Sequence, residues 1–386
     1  MLEKAPEPSL VVNKQTLRHR VVISAGGTKV RVRFSNEWGI APIKFGAASL
    51  RVGPDGASHS LTFGGFPTAT IYPGAPILSD PVELKVPPMA ELDISIYFPE
   101  PAVTAGYHRA VDPDGQSQVL PSLNACYLSE GNHTGDPGAL EEARIEPTIV
   151  SSVEVYSTNK PAVLVIFGDT RSANWPDLII KESQGRFAVV NQSGYAGSLT
   201  FGKPGETGLH QWSSGIARFD RDVLTVCGAT HVLIFIGHND ISLPGMREKG
   251  FILVPADQMR TSDQIIVALR QIVDRARAHN LRVIGGTLQI YKGGTFEGRV
   301  TPQKLDTRDT VNNWIRESGV FDRVIDFDAV VRDPFDPNRV PPAGYDPDNY
   351  KHAPTEAGVE MMAKAAMDVL KGELMELVDR NATSDS

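Results

Sequence analysis

The sequence predicts a two-part chain. An all-β, jelly-roll-like sandwich spans residues 1–150, and a three-layer α/β/α domain with a five-stranded parallel sheet spans 160–378. Three observations predict this. Up to about residue 150, short runs of alternating apolar and polar residues are separated by Pro and Gly, with no helical period. After Lys160, continuous apolar runs alternate with stretches of helical period. At 386 residues, the chain is also too long for one ordinary core.

Residues 1–16 read as a polar, Pro-containing lead-in. Val21-Val22-Ile23 then runs into a Gly26-Gly27 turn, and Val30, Val32 and Phe34 alternate with Arg31 and Arg33. Further strands are expected at 48–52, 60–63, 82–86 and 92–98, where Leu92, Ile94, Ile96 and Phe98 alternate with Asp93, Ser95 and Tyr97. Residues 150–156 close the first part or lead out of it. In the second part the expected strands are 163–167, 187–191, 231–236, 282–288 and 324–327. Between the last two lies a helix at about 303–317. The clearest helix runs from about 263 to 279. Ile265, Leu269, Ile272 and Ala276 share one face, Thr261 and Gln264 fit a capping box, and Arg275 and Arg277 suit its C-terminal end. A last helix is expected over about 354–378, followed by a polar tail, 379–386.

Composition excludes several classes. Hydrophobic residues make up 41% and charged residues 22%, as in a soluble globular protein, and the formal net charge is −8 at pH 7. Without a basic stripe, neither nucleic acid nor an anionic membrane is an expected partner. No run approaches the roughly 20 apolar residues of a membrane-spanning helix. The N-terminal MLEKAPEPSL has no apolar leader core, which implies a cytoplasmic protein, or a secreted one if this is a processed form. Cys126 and Cys227 give neither metal spacing nor a disulfide framework and are expected to be unpaired, mostly buried thiols. No metal-ligand cluster and no phosphate-binding Gly-rich loop is present, so no cofactor is expected. The Asn132-His133-Thr134 sequon is read as a loop.

Four polar sites fall at or near the C-terminal ends of the expected parallel strands, where α/β proteins place their chemistry. The first is Gly168-Asp169-Thr170, after the first strand. Its hydroxyl is a candidate nucleophile, and the same turn also reads as a plain helix start with Thr170 as N-cap. The second is Asn191-Gln192-Ser193-Gly194-Tyr195-Ala196-Gly197, where a glycine lets the backbone offer an N–H at close range. The third is Gly237-His238-Asn239-Asp240. An Asn amide can donate to an oxyanion, and Asn239 and Asp240 can equally be helix caps. The fourth is Asp348-Asn349-Tyr350-Lys351-His352, where a carboxylate a few residues before a histidine can orient it as a general base.

In this order the four sites resemble the SGNH (GDSL-type) hydrolases, a class of serine esterases and acyl hydrolases. The blocks here read GDT, Asn191 to Gly197, GHND and NYKH. Residues 217–224, 311–316 and 324–329 resemble one bacterial branch of the family. So do 61–65 and 127–134, in the N-terminal β-sandwich that branch carries. The resemblance implies Thr170 as nucleophile, His352 as general base, and an oxyanion hole of Thr170 N–H, Gly197 N–H and the Asn239 side chain. Asp169, His238, Tyr195 and Asn349 fall among the substrate-binding residues; Tyr195 and Trp175 also read as core, and His238 as an alternative acid or base.

The chain departs from the family pattern in three ways. Threonine replaces serine at position 170, and its β-methyl restricts χ1 in a tight turn. Only residues 171–174 separate it from Trp175, a short gap for this family. Counting forward from Tyr345-Asp346 puts the family aspartate on Asn349 and the histidine on His352. Counting back from Pro354 and Gly358 puts the histidine on Ala353. The first count keeps a histidine, and Asp348 then stands in for the carboxylate. The resemblance therefore implies hydrolysis of an ester or lactone, of a carbohydrate or a secondary metabolite. The alternatives are a protein that binds a glycan or acyl ligand without hydrolysis, and lyase or transferase chemistry in the same pocket. The expected partner is a small-molecule or glycan ester; no oligomeric state is read from the sequence.

Overall fold

The computed structural model describes residues 3–4, 10–104, 106–107, 124–136, 141–142, 149–172, 175–194, 197–202, 213–248, 251–252, 254–290, 292, 297–339 and 355–384. The chain divides into two compact units, Met1–Pro161 with Ser183–Gly185, and Ala162–Glu182 with Arg186–Ser386.

The first unit is built on two main antiparallel sheets. Its principal strands are β1 (Gln15–Val22), β2 (Gly27–Ser35), β3 (Ala47–Val52), β4 (Val82–Val86), β5 (Glu91–Phe98), β6 (Asn124–Glu130) and β7 (Val150–Tyr156). One sheet runs β6-β1-β5-β3, with two-residue strands at both edges, and the other runs β4-β2-β7. Alternation explains the division. Val30, Val32 and Phe34 of β2 meet Leu17, Leu50, Leu92, Ile94 and Phe98 of the other sheet in one core. Phe34, Phe45 and Phe63 meet there at centroid distances of 5.2 to 5.8 Å, and burying each such ring stabilises by about 1.5–3 kcal/mol. The Gly26-Gly27 turn does not join paired strands, because β1 and β2 belong to different sheets.

Polar residues on the other face of β5 are buried as well. Asp93 takes two bonds from Arg20, and Ser95 accepts from Arg18 Nε at 2.7 Å. The 131–136 loop lies against this face. Its carbonyls at His133 and Asp136 accept from Arg18, and that at Thr134 accepts from Ser49. The sequon is part of this loop, with Asn132 Oδ1 accepting from Thr134 N and Oγ1. Cys126 is buried as expected, whereas Cys227 is exposed, because it sits in the turn before a strand.

The second unit contains a five-stranded parallel sheet. Its strands are β8 (Val163–Gly168), β9 (Ala188–Asn191), β10 (His231–Phe235), β11 (Arg282–Gly286) and β12 (Arg323–Ile325), in the order β9-β8-β10-β11-β12. Strand residues alternate between two helical layers. Val165, Phe167, Val232, Ile234 and Val283 pack with α2 (Gly215–Phe219), α4 (Ser262–Ala278) and α5 (Pro302–Glu317). On the other side α1 (Trp175–Ser183) and α6 (Phe327–Val331) bring Trp175 and Phe327 together with Phe235. The long α7 (Glu356–Ser384) joins that layer through Lys371, paired with Glu182 of α1 at 2.6 Å. A short α3 (His238–Ser242) follows β10.

The capping box of α4 is formed, with Thr261 Oγ1 accepting from Gln264 N and Gln264 Oε1 from Thr261 N. Helix α7 runs on through the first residues of the segment read as a polar tail, to Ser384. Among the described residues, no helix is long and apolar enough to cross a membrane.

Candidate active site

Strand order fixes where a site can form. The chain moves from β8 outward to β9, then returns past β8 to β10, so the connections diverge between β8 and β10. In open α/β sheets, the crevice at the C-terminal ends of such a pair is where ligands bind. Gly168 and Phe235 are register partners there, and the first and third polar sites follow directly.

After β8 the backbone turns sharply. Asp169 Oδ1 accepts from Arg171 N at 2.9 Å, and Ser172 N donates to the Asp169 carbonyl at 2.9 Å. Asp residues favour such turns because the side chain replaces a backbone acceptor. Thr170–Ser172 forms one 3₁₀ turn. Glycine is needed before it: a Cβ on Gly168 would collide with Ser172 Oγ and crowd the Phe235 carbonyl.

The other oxygen of Asp169 reaches across the sheet. Oδ2 lies 2.9 Å from His238 Nδ1 and 3.6 Å from Arg171 Nη1, and neither Asp169 nor His238 has exposed surface. Burial opposes ionisation of Asp169, but His238 and Arg171 outweigh it and hold the carboxyl below its ordinary range. Burial pushes the His238 imidazole down despite the carboxylate beside it. The pair is therefore an anion against a neutral imidazole donating from Nδ1. Nε2 has no hydrogen-bond partner among the described residues. Both residues were expected among the substrate-binding groups, and the structure pairs them with each other.

At the end of β10, Gly237 adopts φ 127° and starts α3. Asn239 and Asp240 are not caps. They lie within α3 and reach back to residues 197–200, the end of the second polar site and the segment after it. Asn239 Nδ2 donates to the Gly197 carbonyl at 2.8 Å. Asp240 accepts from Leu199 N, Thr200 N and Thr200 Oγ1 at 2.6–2.8 Å. Burial raises the Asp240 carboxyl, and these three bonds work against that. Gly197 N–H, an expected oxyanion donor, donates to the Gly194 carbonyl at 3.2 Å.

Arg218 was not singled out from the sequence as a site residue. From α2 its guanidinium donates to the Gly168 carbonyl at 2.8 Å and the Gln192 carbonyl at 3.0 Å. It also pairs with Asp222 at 2.8 Å and covers the Phe167 ring. It thus ties the 168–172 turn to the second site. Its i,i+4 carboxylate was visible in the sequence, but no spacing rule points an arginine at two distant carbonyls. Asn191 adds a bond from Nδ2 to the Ser172 carbonyl at 3.1 Å.

The structure therefore brings together Asp169, Gly197, His238 and Asn239, with the backbone of Thr170. Trp175 is core, fully buried against Phe235 and Phe327. The side chain of Thr170, and Tyr195, Asp348, Asn349 and His352, lie outside the described residues. Among the described residues, no group of three or more His, Cys, Asp or Glu is placed to hold a metal ion.

The model of the GDSL-like Lipase/Acylhydrolase family matches residues 154–361. No curated protein matches the chain. Among solved structures, it is similar to a GDSL-like lipase from Bacteroides thetaiotaomicron, at 14% identity over 55% of this chain and 89% of that one, with a TM-score of 0.41. An acetylxylan esterase from Geobacillus stearothermophilus, solved as a catalytic mutant, is 17% identical over 54% of this chain and 93% of the other, with a TM-score of 0.39. An esterase from Pseudoalteromonas sp. is 17% identical over 55% and 98%, with a TM-score of 0.37. A parallel sheet that carries the first three polar blocks on one edge and a family match over more than half of the sequence lead to one conclusion: the chain belongs to the GDSL-like lipase/acylhydrolase family.

Proposed function

We propose that the protein hydrolyses an ester or lactone of a carbohydrate or secondary metabolite, with Thr170 as nucleophile. The observation that carries this reading is the Asn239 amide, fixed on the Gly197 carbonyl beside the turn that bears Thr170. That arrangement suits a developing oxyanion better than a neutral ligand, because preorganised donors act most strongly where charge appears.

In the proposed reaction the Thr170 hydroxyl gives its proton to His352 as Oγ attacks the acyl carbon. The carbonyl oxygen becomes an oxyanion and is met by Thr170 N–H, the Asn239 amide and Gly197 N–H. The last must share or leave its bond to Gly194. Collapse breaks the ester bond, and the alcohol leaves with the proton from His352. Water then repeats the sequence on the acyl-enzyme, releasing the acid and free Thr170. Asp348 orients His352.

The test is a paired assay of wild type, Thr170→Ala and Thr170→Ser on short-chain aryl esters and acetylated sugars. Acid release by wild type, lost in Thr170→Ala, supports the reading, and the Thr170→Ser rate measures the cost of the β-methyl. Activity confined to Thr170→Ser means that threonine has switched off hydrolysis. Silence in both favours a ligand-binding protein, the reading suggested by Asn349 at the position of the family carboxylate.

A further inference from the structure

We propose that Asp169 and His238 are positioning residues for this reaction: the bond from His238 Nδ1 to Asp169 Oδ2 locks the turn carrying Thr170 to the helix start carrying Asn239. The inference rests on the hydrolytic reading above and adds a device to it. Each member immediately precedes a residue the reaction must place, Asp169 before Thr170 and His238 before Asn239. The turn is held to the 191–194 segment by Arg218 and Asn191. Helix α3 is held to residues 197–200 by Asn239 and Asp240. Those contacts join each arm to the loop after β9. The 2.9 Å bond of Asp169 to His238 joins the two arms to each other across β8 and β10.

The surroundings suit a lock rather than a titrating base. His238 faces Asp169 and Arg171 from the turn and Arg299 from the loop before α5, and its ring meets the Phe235 ring edge-on at 4.6 Å. Arg171 sits beside the same carboxylate oxygen, so Asp169 keeps its charge while the imidazole stays neutral. A neutral ring with Nδ1–H committed to a carboxylate has one tautomer and one orientation. Misplacement of catalytic groups by about 1 Å can cost on the order of 100-fold in rate.

The rival role is direct proton transfer at Nε2, which lacks a partner among the described residues. Substitutions separate the two. Asparagine places an amide N–H near the site of Nδ1 and leaves nothing at Nε2, glutamine places its amide near Nε2, and leucine removes both. Steady-state kinetics of the full chain on a short-chain aryl ester would be measured for His238→Asn, His238→Gln, His238→Leu and Asp169→Asn. Side-chain NMR of Asn239 and of the His238 imidazole would be recorded alongside. The expected result is a fall in kcat of about 10- to 100-fold for His238→Leu and His238→Gln with KM nearly unchanged. His238→Asn recovers most of the loss. The imidazole shows a protonated Nδ1 that Asp169→Asn disturbs.

Equal impairment of His238→Asn and His238→Leu overturns the proposal in favour of Nε2 chemistry. Wild-type rates in all four variants overturn it outright. If His238→Leu does not fold, Asp169→Asn and the Asn/Gln pair carry the test. If wild type turns over no ester, the hydrolytic reading fails, and the Asn239 amide signal decides the lock. A shift in His238→Gln that His238→Asn reverses supports it, and an unmoved signal in both removes it.

Discussion

Asn239 Nδ2 donates to the Gly197 carbonyl oxygen at 2.8 Å, which fixes the plane of the Asn239 amide relative to the loop after β9. An amide nitrogen has two N–H donors, and this bond uses one. In the proposed hydrolysis the other meets the oxyanion with no rotation of the side chain. Asn239→Ala is expected to lower kcat by about 100- to 1,000-fold with little change in KM, the usual cost of one such donor. Steady-state kinetics on an aryl ester checks this, and an unchanged kcat would remove Asn239 from the oxyanion hole.

Arg218 has the heaviest structural duty at the site, with two backbone carbonyls, one carboxylate and an aromatic face. Arg218→Met keeps much of the apolar stem but leaves the Gly168 and Gln192 carbonyls short of a donor. Asp222 retains Arg221, its other partner, at 2.6 Å. The expected loss of stability is about 3 kcal/mol, toward the lower end for one partner of a buried ion pair. Urea unfolding followed by tryptophan fluorescence measures it.

Gly237 occupies φ 127°, a backbone conformation L-residues rarely adopt, while the nearest atom to an added Cβ is 3.5 Å away. The cost of Gly237→Ala is therefore backbone strain and not collision, about 1–3 kcal/mol. Because α3 starts there, kcat should fall along with thermal stability. A variant that keeps wild-type stability would show that the helix start can be reached from an ordinary φ.

Two buried histidines make the fold acid-sensitive. Burial pushes His19 down to about 3 and His231 down to about 4. For each, the unfolded chain binds the proton more readily, so stability is full above the ordinary imidazole value of about 6.5 and is lost as pH falls below it. His231 acts between about 6.5 and 4, and His19 between about 6.5 and 3. Each contributes a slope of about 1.4 kcal/mol per pH unit in its window. Urea unfolding between pH 7 and 4.5 should show this decline, and His19→Leu should flatten it for the first unit. A pH-independent midpoint there would mean that His19 is already charged in the fold.

Much of the architecture was legible in the sequence because its signals are local. The capping box at Thr261 and Gln264 needs four residues and a helix to follow. The apolar runs that became β8 and β10 are continuous because both faces of a parallel sheet are covered. Legibility failed where a partner was distant in sequence. The Gly26-Gly27 turn was legible, but not that β1 pairs with β5 and β6 instead of the strand after it. The alternation of Asp93 and Ser95 along β5 gave no sign that Arg20 and Arg18 would bury them, with Arg18 held in turn by the 131–136 loop.

The sequence by itself determined the alternation of strands and helices, the family, and the first three polar blocks at strand ends, since hydrophobic period and turn chemistry are written within a few residues. Only the tertiary structure decided what those polar residues do to one another. Asp169 and His238 stand 69 positions apart, Asn239 and Gly197 42, and Arg218 and Gly168 50. Parallel strands bring these residues within 3 Å because every strand end is delivered to the same edge of one sheet. A side chain's hydrogen-bond partner is set by that shared edge, and no spacing along the chain encodes it.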